Sequence, residues 1–163
     1  KKSCVLFGDG ATSTIIEKGT GLRGFEIIDV ILHSDPSGCH HVKIPYGEKF
    51  YQNGSAVQKF AITKTCSVTN EILKKNHLTV KDLSYFIGHQ ANLRMLQSSV
   101  NKLELTPAQH LYNVDKCGNQ GAAGAPSILA ENWQNFKDQD LVVVSVVGSG
   151  LTWGSCLLRF CSV

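Results

Sequence analysis

Three short stretches carry residue types able to stabilise negative charge on an oxygen. His89 lies in Gly88-His89-Gln90-Ala91-Asn92, directly after the apolar run Leu83-Ser84-Tyr85-Phe86-Ile87. Asn119 follows Gly118, and Gly148-Ser149-Gly150 follows the apolar stretch 141–147. An imidazole and a carboxamide can each donate a hydrogen bond to a developing oxyanion, and a glycine-rich turn can add backbone N–H groups. Each has a plainer use. A histidine at a strand end can be structural, an Asn beside glycine can shape a turn, and Gly-Ser-Gly can be a bend. Three of them at equivalent strand ends favour a shared site. The missing part is a nucleophile: there is no G-x-S-x-G elbow, and none of the cysteines lies where such an elbow is expected.

The elements that must position these residues follow from the hydrophobic pattern. Residues 3–7 and 13–17 read as two extended segments about the Gly8-Asp9-Gly10 turn. Residues 25–33 form an apolar, β-branched strand, and 34–46, with two prolines and a glycine, a loop. Apolar positions near the helical period predict a helix over 54–76 and another over 93–103, the second capped by Asn92. Strands are expected at 82–87, 110–114, 141–147 and 152–160, and a helix at 121–136. Strands alternating with helices imply an α/β layer, with the last two strands antiparallel across a tight turn. Ligands of such sheets sit beyond the carboxyl ends of the strands, where His89, Asn119 and the glycine turn would face one crevice.

Composition narrows the function classes. A chain of 163 residues, 42% apolar and 18% charged, is a single globular domain spanning 1–163. A net charge of +3 lacks the dense basic footprint of a nucleic-acid binder. No apolar run reaches membrane-spanning length, and the start has no signal-peptide core, so a cytoplasmic location is expected. Six scattered cysteines without a C-x-x-C pair read as buried free thiols. Cys39-His40-His41 lacks the second ligand pair of a zinc site, so no metal is expected.

At these residues the chain resembles the C-terminal half of the β-ketoacyl-acyl carrier protein synthase III family, condensing enzymes of the thiolase superfamily. The resemblance rests on FGDGA (7–11), GHQANLRML (88–96), GNQGAAGAP (118–126) and GSGLTWGSCLLRF (148–160), in the family's order. It implies half of a thiolase-like fold: a mixed, mostly parallel five-stranded sheet with helices on both faces. By the same resemblance His89 and Asn119 are two members of a Cys-His-Asn triad, binding the malonyl thioester carbonyl and stabilising the enolate formed as CO2 departs. Both serve as neutral donors, so His89 should stay uncharged near pH 7. The N–H of Ser149, within Gly148-Ser149-Gly150, would help form a second oxyanion hole. Arg94, Lys59 and Lys102 correspond to basic residues that dock the acidic acyl carrier protein, a solvated helix face being their plainer reading. Gly8-Asp9-Gly10 is expected to be a structural turn without a catalytic part.

The implied reaction is decarboxylative Claisen condensation of an acyl-CoA with a malonyl carrier thioester. It needs no prosthetic group, and the coenzyme A thioester is a substrate. The nucleophilic cysteine belongs to an N-terminal half that this chain does not contain. That half is the expected partner, in a homodimer when complete, and the fragment alone is expected to be inactive. Three positions depart from the family: Val147 replaces a Phe, Gly-Ser-Gly replaces Gly-Gly-Gly, and Gln120-Gly121 replaces Thr-Ser. Two rival functions follow: a relative that transfers acyl groups to oxygen or nitrogen, or a non-catalytic subunit complementing a Cys-bearing chain.

Overall fold

The computed structural model describes residues 4–19 and 21–162. After an irregular N-terminal segment, strand β1 runs Gly24–Ser34, and a small hairpin pairs β2 (Val42–Lys43) with β3 (Tyr51–Gln52). Helix α1 spans Gly54–Lys75, capped by Asn53, whose side chain accepts the Ala56 N–H. Strand β4 (Tyr85–Gly88) leads into α2 (Leu93–Lys102). The one-turn α3 (Val114–Cys117) and short α4 (Gly124–Glu131) follow, and then β5 (Leu141–Gly148) and β6 (Thr152–Cys161).

The sheet order is β1-β6-β5-β4. Period-two alternation divides its side chains between two cores. Phe86, Val143 and Leu157 form one cross-strand row, facing Val68, Ile72 and Leu73 of α1 and Val100 of α2. The neighbouring row of Tyr85, Val142 and Leu158 faces the opposite way, against Ile128 of α4, Phe136 and Phe160. On α1 the inward positions Ala61, Thr65, Val68 and Ile72 recur at three- and four-residue steps. Val68 and Ile72 are fully buried, each contributing about 1.5–3 kcal/mol relative to exposure. Three hydroxyls join this core: Thr69 and Ser145 lie 2.7 Å apart and Ser145 and Ser155 2.9 Å apart, so none is buried without a partner.

The mixed α/β sheet with helices on both faces is the expected one, but four strands form it. The fifth place is reduced to one parallel bridge between Phe86 and His110, because the chain turns into α3 at Val114 instead of continuing along the edge. Only the β4–β5 ladder is parallel; β1–β6 and β5–β6 are antiparallel. Among the described residues the expected extended pair at 3–7 and 13–17 is absent. Ser3 lies outside the described residues, Cys4–Leu6 is a 3-10 turn, and Phe7 bridges to Asn119 instead of to its own neighbour. The loop at 34–46 contains a 3-10 turn at Pro36–His41 as well as β2. Asp82 belongs to a turn closed by a Thr79–Asp82 capping box, so β4 starts later than expected. The helix expected over 121–136 is a 3-10 turn at Gly121–Ala123 followed by α4, which ends at Glu131.

Candidate active site

β4 and β5 run parallel, so their carboxyl ends meet on one edge of the sheet. His89 follows β4, and Gly148 and Ser149 lie where β5 turns into β6. Together with Asn119 they line a single cavity of about 620 Å³, whose apolar wall includes Phe60, Met95, Val147 and Leu151. Gly150 is not on that lining.

His89 is held in a tight turn, its carbonyl accepting the Ala91 N–H at 2.8 Å. Three residues on, Asn92 caps α2, its side chain accepting from the N–H groups of Arg94 (2.9 Å) and Met95 (3.4 Å). The helix therefore begins immediately beyond the histidine and fixes the end of its turn. The imidazole makes no hydrogen bond to the described residues, and burial pulls its pKa below the ordinary histidine value. It is thus kept neutral near pH 7, with a ring N–H available to the cavity.

Asn119 reaches the cavity from a one-turn helix, not from a strand end as expected. Its backbone is strapped by the N-terminal segment: the Asn119 N–H donates to Leu6 O at 2.8 Å, and its carbonyl accepts the Gly8 N–H at 3.1 Å. The side-chain Oδ1 accepts the Gly121 N–H at 3.0 Å. Nδ2 is bonded to none of the described residues, so the amide presents a donor. Gln120 donates to Asp9 O at 2.9 Å, closing the strap. A Cβ on Gly8 would run into the Cys117 carbonyl, and one on Gly10 would lie 2.6 Å from Gln120 Nε2. Gly8-Asp9-Gly10 is therefore the clasp of the Asn119 loop, a role the sequence alone did not disclose. The only signal was the pair of glycines.

The glycine turn is anchored by two backbone hydrogen bonds between Asp35 and Leu151, at 2.8 and 3.0 Å. Gly38 leaves room for the Leu151 side chain, which a Cβ there would meet at 2.5 Å. Of the three basic residues, Arg94 lines the cavity from the first turn of α2. Lys59 and Lys102 are exposed on α1 and α2 and are not on the lining.

The cysteines correct an expectation. Cys39 is exposed and Cys66, Cys117, Cys156 and Cys161 are only partly buried, all as free thiols; the Cys4 side chain lies outside the described residues. Their scatter over loop, helices and strand leaves each half-covered by whichever element it edges. The His40 and His41 rings lie 4.0 Å apart, but no group of three or more potential metal ligands exists among the described residues. No described helix is long and apolar enough to cross a membrane.

Comparison with known proteins shows the family and the fold. Residues 73–160 match the family model described as 3-oxoacyl-[acyl-carrier-protein] synthase III, C terminal. The chain is similar to a beta-ketoacyl-[acyl-carrier-protein] synthase III of Staphylococcus saprophyticus, 35% identical over 98% of this chain and 51% of that protein. It is 37% identical to the protein of the same description from Wolbachia pipientis, over 98% of this chain and 52% of the relative. A crystal structure of the Thermus thermophilus synthase III superposes with a TM-score of 0.81 at 31% identity, covering 98% of this chain and 53% of that one. The chain thus spans about half the length of the curated relatives it matches.

Proposed function

This chain belongs to the 3-oxoacyl-[acyl-carrier-protein] synthase III C-terminal family, and on that premise we propose that it supplies the decarboxylation and oxyanion half of a condensing enzyme of fatty acid or related biosynthesis. Its substrates are a malonyl thioester on acyl carrier protein and an acyl group delivered from coenzyme A. The remaining half of the relatives' length would provide the nucleophilic cysteine, and the reaction calls on no resident cofactor or metal. The observation that carries this reading is one cavity shared by two unpaired neutral donors, His89 and the Asn119 amide, with the Gly148-Ser149 turn beside them.

In that cavity the malonyl thioester oxygen accepts from the His89 ring N–H and from Asn119 Nδ2. The bond between the malonyl α-carbon and its carboxylate breaks, CO2 leaves, and the electron pair moves through the α-carbon onto the thioester oxygen as an enolate. Donors already fixed in place stabilise that charge without reorganising. The carbanion equivalent then attacks the carbonyl of the acyl-cysteine, and the thiolate leaves as the new carbon–carbon bond is completed. The Ser149 N–H is suited to the oxyanion of that second step. Arg94, at the cavity, and Lys59 and Lys102, on neighbouring helices, would receive the acidic carrier protein, and the enzyme would act as a homodimer.

The test uses the protein at its native length. His89→Ala and Asn119→Ala should each lower condensation by about 10²–10³-fold, with formation of the acyl-cysteine unchanged. Full condensation by His89→Ala would instead favour a non-catalytic subunit. CO2 release in step with product excludes acyl transfer to an oxygen or nitrogen acceptor; product without CO2 would establish it.

A further inference from the structure

Gln90 stands between the two donors in an unusual way. It is fully buried, although it is a polar residue next to the cavity histidine. Its Nε2 donates to Gly88 O at 2.7 Å, closing the turn that carries His89. Its Oε1 accepts from the backbone N–H groups of Asn113 (3.1 Å) and Val114 (3.2 Å). Those two N–H groups open α3, the single helical turn whose far end is Gly118, immediately before Asn119. The first N–H groups of a helix have no partner within it, and the Asn113 side chain does not cap its own helix. Gln90 does so from another segment.

The rest of the path is hydrogen-bonded throughout. Within α3 the Cys117 N–H donates to Asn113 O at 2.8 Å and the Gly118 N–H to Val114 O at 3.0 Å. Asn113 is itself buried, its Nδ2 donating to Ser127 Oγ at 2.9 Å and to Glu131 Oε1 at 2.8 Å, which ties the start of α3 to α4. Gly124 makes room for this arrangement, since a Cβ there would lie 2.9 Å from the Gln90 Cβ. One amide thus joins the end of β4, which carries His89, to the start of the turn that delivers Asn119.

We propose that Gln90 is a positioning residue that sets the spacing between the His89 and Asn119 donors. This rests on the reading of those two residues as the oxyanion pair. Because both donors must reach one oxygen, loosening the link affects the transition state more than substrate capture. A misplacement of about 1 Å can cost on the order of 10²-fold in rate.

Gln90→Met, close in volume and without hydrogen bonds, should reduce kcat for condensation by about 10²-fold. KM for the malonyl thioester and the rate of acyl-cysteine formation should stay near wild type. Gln90→Glu keeps an acceptor for the Asn113 and Val114 N–H groups, so it should recover part of the lost kcat. It also serves as the informative variant if Gln90→Met does not fold. His89→Ala is run alongside. If His89→Ala abolishes condensation while both Gln90 variants retain wild-type kcat, the positioning role is wrong and the oxyanion pair stands. Equal losses in acylation and condensation would mark Gln90 as merely structural, which also overturns the proposal. If His89→Ala retains condensation, the functional reading itself fails.

Discussion

At the scale of single residues, protonation state decides what His89 can do. Burial is the cause of its lowered pKa, with no compensating carboxylate, and His110 is displaced in the same direction for the same reason. His110 Nε2 has no hydrogen-bond partner, so its neutral form is also the one that fits. In the unfolded chain both would take up a proton near the ordinary histidine pKa of about 6.5. The unfolded state therefore binds more protons between that value and the lower folded values. Stability from these groups is present above about pH 6.5 and is lost as pH falls through the folded pKa values. Thermal denaturation followed from pH 8 to 5 should show a midpoint that falls only below that point. For condensation, the acid limb assigned to His89 should lie below about pH 6.5; a limb above it, shifted by His89→Gln, would refute the neutral-donor role.

At the scale of elements, the site depends on segments that are not regular secondary structure. The Asn119 loop is strapped by Leu6 and Gly8, and Gly8 packs where no side chain fits. Gly8→Ala should push the strap off Cys117 and release Asn119. We expect a loss of condensation of about tenfold or more, on the sensitivity of oriented donors to displacement, with a smaller change in thermal stability. Wild-type condensation by that variant would show that the strap is dispensable. The readable elements were those with long periodic runs: α1, α2, β1, β5 and β6 lie where the hydrophobic pattern predicted them. The misread ones were short. Residues 110–114 look like a strand because of their apolar residues, yet the Asn113 and Val114 N–H groups donate to Gln90 Oε1 and the chain enters a helical turn there. Local pattern carries no information about a partner 23 residues away.

At the scale of the whole molecule, the two faces of the sheet are unequally covered. The face beneath α1 and α2 is closed, whereas Ile27, Val30 and Leu32 of β1 and Val146 of β5 remain at least a third exposed on the α4 side. Ile15 and Ile16 of the N-terminal segment are also exposed. Exposed apolar side chains on one face of a sheet make that face a candidate interaction surface. The remaining half of the relatives' length is the occupant that fits the proposed function. The 163-residue chain should bind a hydrophobic dye, and its assembly with the proposed cysteine-bearing half should bind much less per molecule. Equal dye binding by both would mean that this face stays open.

Sequence alone determined the fold class and the family resemblance, and it singled out His89, Asn119 and the glycine turn as candidate site residues. These are carried by periodic burial and by short motifs whose residue types have few other uses together. Tertiary structure decided how they meet. It replaced a fifth strand by a single bridge, turned the Gly8-Asp9-Gly10 segment into a clasp on Asn119, and placed the Gln90 amide between the two donor loops. The physical reason is the range of the interactions. Hydrophobic periodicity is a local property of the chain, whereas the hydrogen bonds that satisfy buried polar groups join segments far apart in sequence and exist only once the sheet has brought them together.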